Sequence, residues 1–414
     1  MGLLDLAAVV VTLTALFAYI NHRFIGLPTT LGAMALSLAV SLALLLLGRL
    51  AFPGVERWAS TALERIDFSR AVLDGMLSFL LFAGALFVNL GDLAQRRFVV
   101  AGLATIGLLT STALVGVLAW TVFGLLGHPL PFVWCLVFGA LISPTDPVAV
   151  LGVLKSAGVP KTLETKIVGE SLFNDGVAVV VFLVLLETAT GGDAGMAHIA
   201  SLFAREALGG ALFGLALGWF VHRLLSSIDQ YQVEVLITLA AVMGGYALAL
   251  ALHLSGPIAM VVAGLLLGNH RRERAMSVTT RQHLDQFWEL VDEILNAVLF
   301  VLIGLEVLVL RFGGVELAAG VLLIPAVLLA RLVSVSVPVA LLRPFRRFGP
   351  GTIRILTWGG LRGGISVALA LSLPPGEARE LLLPATYCIV VFSLLVQGLT
   401  VGGAARRLAT TGAD

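Results

Sequence analysis

The sequence predicts an all-α polytopic membrane protein of about thirteen transmembrane helices, built as an inverted repeat with two crossed, broken helices. Three observations carry that reading. Of the 414 residues, 59% are hydrophobic and only 12% charged, with a mean hydropathy of +1.03; a soluble chain would carry about 25% charged residues. Apolar runs of the roughly 20 residues needed to cross a bilayer recur throughout. Two of these runs are interrupted near the middle, by Ser143-Pro144-Thr145-Asp146-Pro147 and by Gly359-Gly360-Leu361-Arg362-Gly363-Gly364. The runs are continuous rather than alternating, which excludes a membrane β-barrel.

In chain order the spans fall at 3–20, 27–48, 71–92, 98–126, 132–154, 163–189, 202–224, 232–252, 255–269, 289–310, 315–342, 352–373 and 381–403. The first begins at Leu3 with almost no charged region before it and no small-residue cleavage site, so it is expected to be a retained helix. Segment 49–70 mixes Arg49, Glu56, Arg57, Glu64, Arg65, Asp67 and Arg70 with apolar residues and reads as an interfacial amphipathic stretch. Segment 270–288 is similar and more basic. The chain ends about ten residues after the last span, so no soluble regulatory domain is expected.

The interrupted spans are the fifth and the twelfth, seven apart, and therefore run in opposite directions. One transporter unit over 1–414 is expected, with spans 1–6 (1–201) and 8–13 (225–414) as inverted halves joined by the seventh span at 202–224. Of the 26 Lys and Arg, sixteen fall in loops after odd-numbered spans or at the C-terminus and seven in the opposite set. Positive charge collects on the cytoplasmic side, which puts the C-terminus in the cytoplasm and the N-terminus outside. A net charge of +1 implies no nucleic-acid partner. Cys135 and Cys388 lie inside apolar runs and are expected to pack as small hydrophobes.

Broken helices in corresponding positions of two halves point to the binding site of a secondary transporter. Pro144 and Pro147 each lack an N–H and clash with the preceding turn, so the fifth span should unwind there. Unwound backbone at membrane depth is tolerated only where it lines a cavity or the protein interior, which places Thr145 and Asp146 in a polar pocket. On the sixth span Glu170, Ser171, Asn174 and Asp175 fall within roughly 140° of one another at 100° per residue. Two acids, a hydroxyl and an amide on one face suit a hard monovalent cation, whereas a soft metal would want Cys or His. Arg331, in the middle of the eleventh span, stays protonated and needs a carboxylate. Glu170 is the expected partner, leaving Asp146 and Asp175 free. Arg362, between glycines in the twelfth span, is expected to support the break by neutralising helix-end carbonyls.

Lesser signals are Asn89 and Asp92 on the third span, Tyr246, His253, Ser255 and Gly256 around a short turn, and Asp292, Glu293 and Asn296 at the start of the tenth span. Two of the last three are expected to be interfacial. The seven histidines sit mostly near span ends and supply no strong ligand or relay.

Ser-Pro-Thr-Asp-Pro-Val-Ala-Val at 143–150 and Gly-Glu-Ser-Leu-Phe-Asn-Asp-Gly-Val-Ala at 169–178 resemble the two signature motifs of the monovalent cation:proton antiporters, the NhaP and sodium/proton exchanger group. Segments 255–264, 287–289 with 296–300, 358–364 and 392–400 resemble the same family. The resemblance implies the thirteen-helix NhaA/NhaP-like antiporter fold, usually homodimeric, with dimerisation and core domains. It implies that Asp175 is the ion-binding carboxylate, that Thr145, Asp146 and Ser171 stand near the sodium ion, and that Glu170 pairs with Arg331. Members with Asn-Asp, as at Asn174-Asp175, are generally electroneutral. Some members place an acid on the third span near the ion; this chain has Asn89 there. The absence of a long tail favours a prokaryotic protein of the inner membrane, serving pH homeostasis.

The expected activity is therefore exchange of sodium, or lithium or potassium, for protons by alternating access, one for one, with no enzyme activity and no cofactor. Desolvation disfavours a charged carboxylate, so proton and cation should compete for Asp175, and either makes the loaded core cheaper to move across the membrane. Two other classes compete. An intramembrane aspartyl protease resembles its relatives in a Gly-x-Gly-Asp motif that does not occur here. A channel, or a carrier of organic anions or other solutes, could use a related inverted-repeat fold, though two acids in the pocket favour cations.

Overall fold

The computed structural model describes residues 3–50, 68–148, 150, 161–192, 195–270, 278–310, 312–344, 348 and 351–410. Every described element is helical. Residues 51–67 of the amphipathic stretch expected at 49–70, residues 149 and 151–154 of the fifth span and residues 271–277 of the basic segment lie outside the described residues.

All thirteen expected spans have a helical counterpart among the described residues. Among the described residues, nine helices are long and apolar enough to cross a membrane: Ala7–Ile25, Thr29–Leu47, Phe68–Leu86, Leu90–Leu125, Glu164–Ala189, Ala197–Leu225, Tyr231–Ala251, Gly314–Leu342 and Glu377–Arg406. The fifth and ninth spans are represented by shorter apolar helices, Phe132–Ile142 and Gly256–His270. The tenth is the 29-residue helix Val278–Glu306, whose first half is polar. The twelfth is two half-helices, Thr352–Trp358 and Gly364–Leu371.

Packing explains why so many of the glycines lie within spans. Along the seventh span Gly210, Gly214 and Gly218 sit every fourth residue, against Ser255, Ala259 and Ala263 of the ninth. A Cβ at Gly214 would lie 2.4 Å from the Ala259 carbonyl oxygen. Lipid tails give no hydrophobic drive between helices, so close backbone approach at small residues supplies the contact. The short turn between the eighth and ninth spans is covered by Tyr246, whose hydroxyl donates to the Leu73 carbonyl at 2.6 Å, and it lies away from the acidic cavity described below. Buried side chains form one large cluster, in which the fourth, fifth, sixth, eleventh, twelfth and thirteenth spans meet, and a second in which the third, seventh, eighth and ninth meet.

Candidate ion-binding site

The site is built where the two broken spans cross. The helix Phe132–Ile142 ends at Ser143, and the chain runs non-helical through Pro147. Proline has no N–H and opposes the helix here, so the freed backbone groups need other partners. They find them on the twelfth span. The Asp146 N–H donates to the Leu361 carbonyl at 2.8 Å. Arg362 Nη1 donates to the Ser143 carbonyl and, at 3.0 Å, to the Pro144 carbonyl. Arg362 is thus set against the C-terminal end of a half-helix, where a positive charge offsets the helix dipole. In turn its own N–H donates to Ser393 Oγ at 2.9 Å. Gly363 is required by approach: a Cβ there would lie 2.2 Å from Asp146 Oδ2.

The sixth span brings a second layer. Asn174 Nδ2 donates to Thr145 Oγ1 at 2.9 Å, the Thr145 N–H reaches Asn174 Oδ1 at 3.4 Å, and Thr145 Oγ1 and Ser171 Oγ are 3.0 Å apart. Both ends of the Asn174 amide are therefore engaged in holding Thr145. Arg331 Nη1 donates to Glu170 Oε1, while its Nη2 donates to the Leu356 carbonyl at 3.1 Å. Glu170 is 1% exposed and Arg331 6%. Both charges are compensated and hydrogen-bonded, the condition under which burial is tolerated.

Asp175 is different. It is 7% exposed and accepts no hydrogen bond from any described residue, and its charged neighbour is Asp146. Both carboxylates reach a cavity of about 690 Å³. Thr145, Pro144, Pro147 and Gly363 share its lining, whereas Ser171, Asn174 and Glu170 lie behind it. Seven carboxylates among the described residues line this cavity: Asp92, Asp146, Glu164, Asp175, Glu289, Asp292 and Glu293. Among the described residues, no Lys, Arg or His lines it. A cleft lined by one sign of charge raises the local concentration of the opposite ion.

Some of this the sequence reading weighed too lightly or placed wrongly. Asn89 is not within the third span, which ends at Leu86; it N-caps the fourth, its side chain accepting from Gly91 N–H at 2.8 Å and Asp92 N–H at 3.2 Å. It lines the cavity mouth beside Asp92. The third-span residues deeper in the cavity, Leu77, Leu80, Leu81 and Gly84, carry no oxygen in their side chains. On the tenth span, Asp292, Glu293 and Asn296 all line the cavity together with Glu289. Glu289 is exposed, Asp292 half-buried and Asn296 buried. Their spacing of three, four and seven residues marks one helical face and was visible in the sequence.

Crossed broken helices around an acidic pocket define a polytopic membrane transporter. The chain matches the model of the sodium/hydrogen exchanger transmembrane family over residues 12–407. It is 53% identical to the Na(+)/H(+) antiporter NhaP of Pseudomonas aeruginosa, over 98% of this chain and 97% of that one. It is 35% identical to the Na(+)/H(+) antiporter NhaH of Halobacillus dabanensis, over 90% and 91%. Its fold is that of the sodium proton antiporter MjNhaP1 of Methanocaldococcus jannaschii, with a TM-score of 0.78, 19% identity and 99% of each chain covered. The chain belongs to the sodium/hydrogen exchanger family; it is a multi-pass membrane transporter and not an enzyme.

Proposed function

We propose that this protein exchanges a monovalent cation, sodium first among them, for a proton across the inner membrane, one for one and without net charge movement. The observation that carries the reading is Asp175: a buried carboxylate with no hydrogen bond from any described residue, at an acidic cavity. A bare carboxylate in such a place is neutralised by a proton or by a cation. Both compete for it, and neutralisation by either lowers the cost of carrying the site across the membrane.

In this reading Asp175, Asp146 and Thr145 meet the ion directly, as the side chains that line the cavity. Ser171 and Asn174 hold Thr145 in place. Asn174 brings a dipole and no titrating charge, so a single carboxylate exchanges one ion for another. The Glu170–Arg331 pair and Arg362 fix the two breaks. The cavity mouth carries Asn89, Asp92, Glu164 and Glu289, next to the loops that the excess of Lys and Arg assigns to the cytoplasm. The conformation is then inward-facing, one state of an alternating-access cycle. The working unit is a homodimer, as the resemblance to the exchanger group implies.

The test is proton flux in proteoliposomes. A pH gradient is imposed, sodium, lithium or potassium is added in turn, and internal pH is followed with the membrane potential clamped or free. The expected result is cation-dependent dissipation indifferent to the clamp. Dissipation that follows the clamp would refute electroneutrality. No cation dependence at any pH would refute the exchange itself.

A further inference from the structure

A second, much smaller cavity lies beside the breaks and shares neither Asp146 nor Asp175 with the ion cavity. It has a volume of about 10 Å³, and its polar lining comes from Arg331, Gly360, Arg362 and Gln397. All three side chains are buried: Arg362 is 2% exposed, Gln397 3% and Arg331 6%. Arg362 Nη1 is occupied by the Ser143 and Pro144 carbonyls. Its Nη2 is buried and has no hydrogen-bond partner among the described residues. Gln397 Nε2 donates to the Trp358 carbonyl at 3.0 Å, and its Oε1 accepts from no described residue.

A buried guanidinium N–H left without an acceptor is costly, more so than a neutral donor. Native interiors rarely leave one. A cavity of about 10–15 Å³ holds one water, provided two or more polar groups reach it. We propose that this cavity is a built site for a single water molecule, which accepts from Arg362 Nη2 and donates to Gln397 Oε1. A halide would satisfy only the donor, would leave Gln397 Oε1 facing a negative charge, and is too large for the space.

The water gives the thirteenth span a second hold on the break. Ser393 and Gln397 are one helical turn apart on that span. Ser393 Oγ accepts from the Arg362 backbone N–H at 2.9 Å, and Gln397 reaches the Arg362 side chain through the water. Leu361, next to Arg362, is the residue whose carbonyl holds the Asp146 N–H. Gln397 is therefore a positioning residue for Asp146, acting through the water, Arg362 and Leu361.

The experiment is a structure in lipid nanodiscs at a resolution that orders water, for the natural protein and for Gln397→Met, with sodium-dependent exchange measured alongside. One density peak within hydrogen-bond distance of Arg362 Nη2 and Gln397 Oε1 is expected, lost in Gln397→Met. Half-saturating sodium should rise severalfold in Gln397→Met and return towards normal in Gln397→Glu, which keeps an acceptor. An empty cavity in the natural protein, a peak that takes up bromide, or a peak unchanged in Gln397→Met would overturn the site. Unaltered half-saturation in Gln397→Met would overturn the positioning role. Should Gln397→Met fail to fold, the density in the natural protein decides.

Discussion

The backbone N–H of Asp146 donates to the carbonyl of Leu361 at 2.8 Å, so two breaks in oppositely directed spans share one hydrogen bond beside the carboxylate that lines the ion cavity. The two residues are far apart in sequence, and neither break is stable alone at membrane depth. Each supplies what the other lacks: the fifth span offers N–H and carbonyl groups freed by proline, and the twelfth offers a carbonyl and a guanidinium.

Gly363 is the tightest point of that crossing, and Gly363→Ala tests it. A new Cβ would lie 2.2 Å from Asp146 Oδ2 and 2.7 Å from its Cγ, so Asp146 must move. Misplacing a reacting group by 1 Å can cost on the order of a hundredfold, so half-saturating sodium should rise by at least about tenfold. Gly244→Ala on the eighth span, with nothing within 4 Å of the added atom, should exchange as the natural protein does. Sodium-dependent proton flux on the two variants side by side decides.

Glu170 and Arg331 form a buried, compensated pair, so removing one charge should harm more than removing both. Glu170→Gln or Arg331→Met alone leaves an uncompensated ion and should destabilise by about 3–5 kcal/mol. The double variant should recover much of that loss. Thermal unfolding in detergent checks it; additive losses in the double variant would contradict the pairing.

Asp175→Asn removes the carboxylate and breaks no hydrogen bond from a described residue. The variant should unfold at nearly the natural temperature and lose exchange by at least about a hundredfold, the mark of a group used in the transport step alone. Normal exchange by this variant in vesicles would sink the assignment of Asp175.

Asp292 faces Asp146 across the cavity from the tenth span. Its role in gathering cations is electrostatic, so Asp292→Asn should raise half-saturating sodium by about two- to fivefold at low ionic strength, leave the maximal rate unchanged, and matter less in high salt as screening grows. A fall in the maximal rate with unaltered half-saturation would show that Asp292 acts in some other way.

The spans and the breaks were legible in the sequence because their signals are local. A bilayer demands some 20 apolar residues at a stretch, and Pro144 or the Gly359-Gly360 pair interrupts such a stretch wherever it falls. Arg331 was legible because a charge at that depth needs a carboxylate; Glu170 is the expected one, and the family resemblance implies the same pair. Asn89 was misplaced because a span boundary set by hydropathy ran through Phe87 and Val88, which are apolar but lie outside the helix; the capping role of Asn89 fixes the true start of the fourth span. Asp292 and Asn296 were undervalued because the start of a span reads as interface. That they line the cavity follows from how the tenth span packs and not from its sequence alone. The engagement of Asn174 with Thr145 is equally tertiary: an amide on a polar face reads as a ligand until its partner 29 residues away is placed.

The central claim is that proton and cation compete for Asp175, and initial exchange rates against sodium concentration at a series of pH values test it most directly. Competition predicts one maximal rate at all pH values, with half-saturating sodium rising towards about tenfold for each unit of pH below the point where the carboxyl takes its proton. A maximal rate that falls with pH while half-saturating sodium stays fixed would place the controlling proton elsewhere and contradict the account.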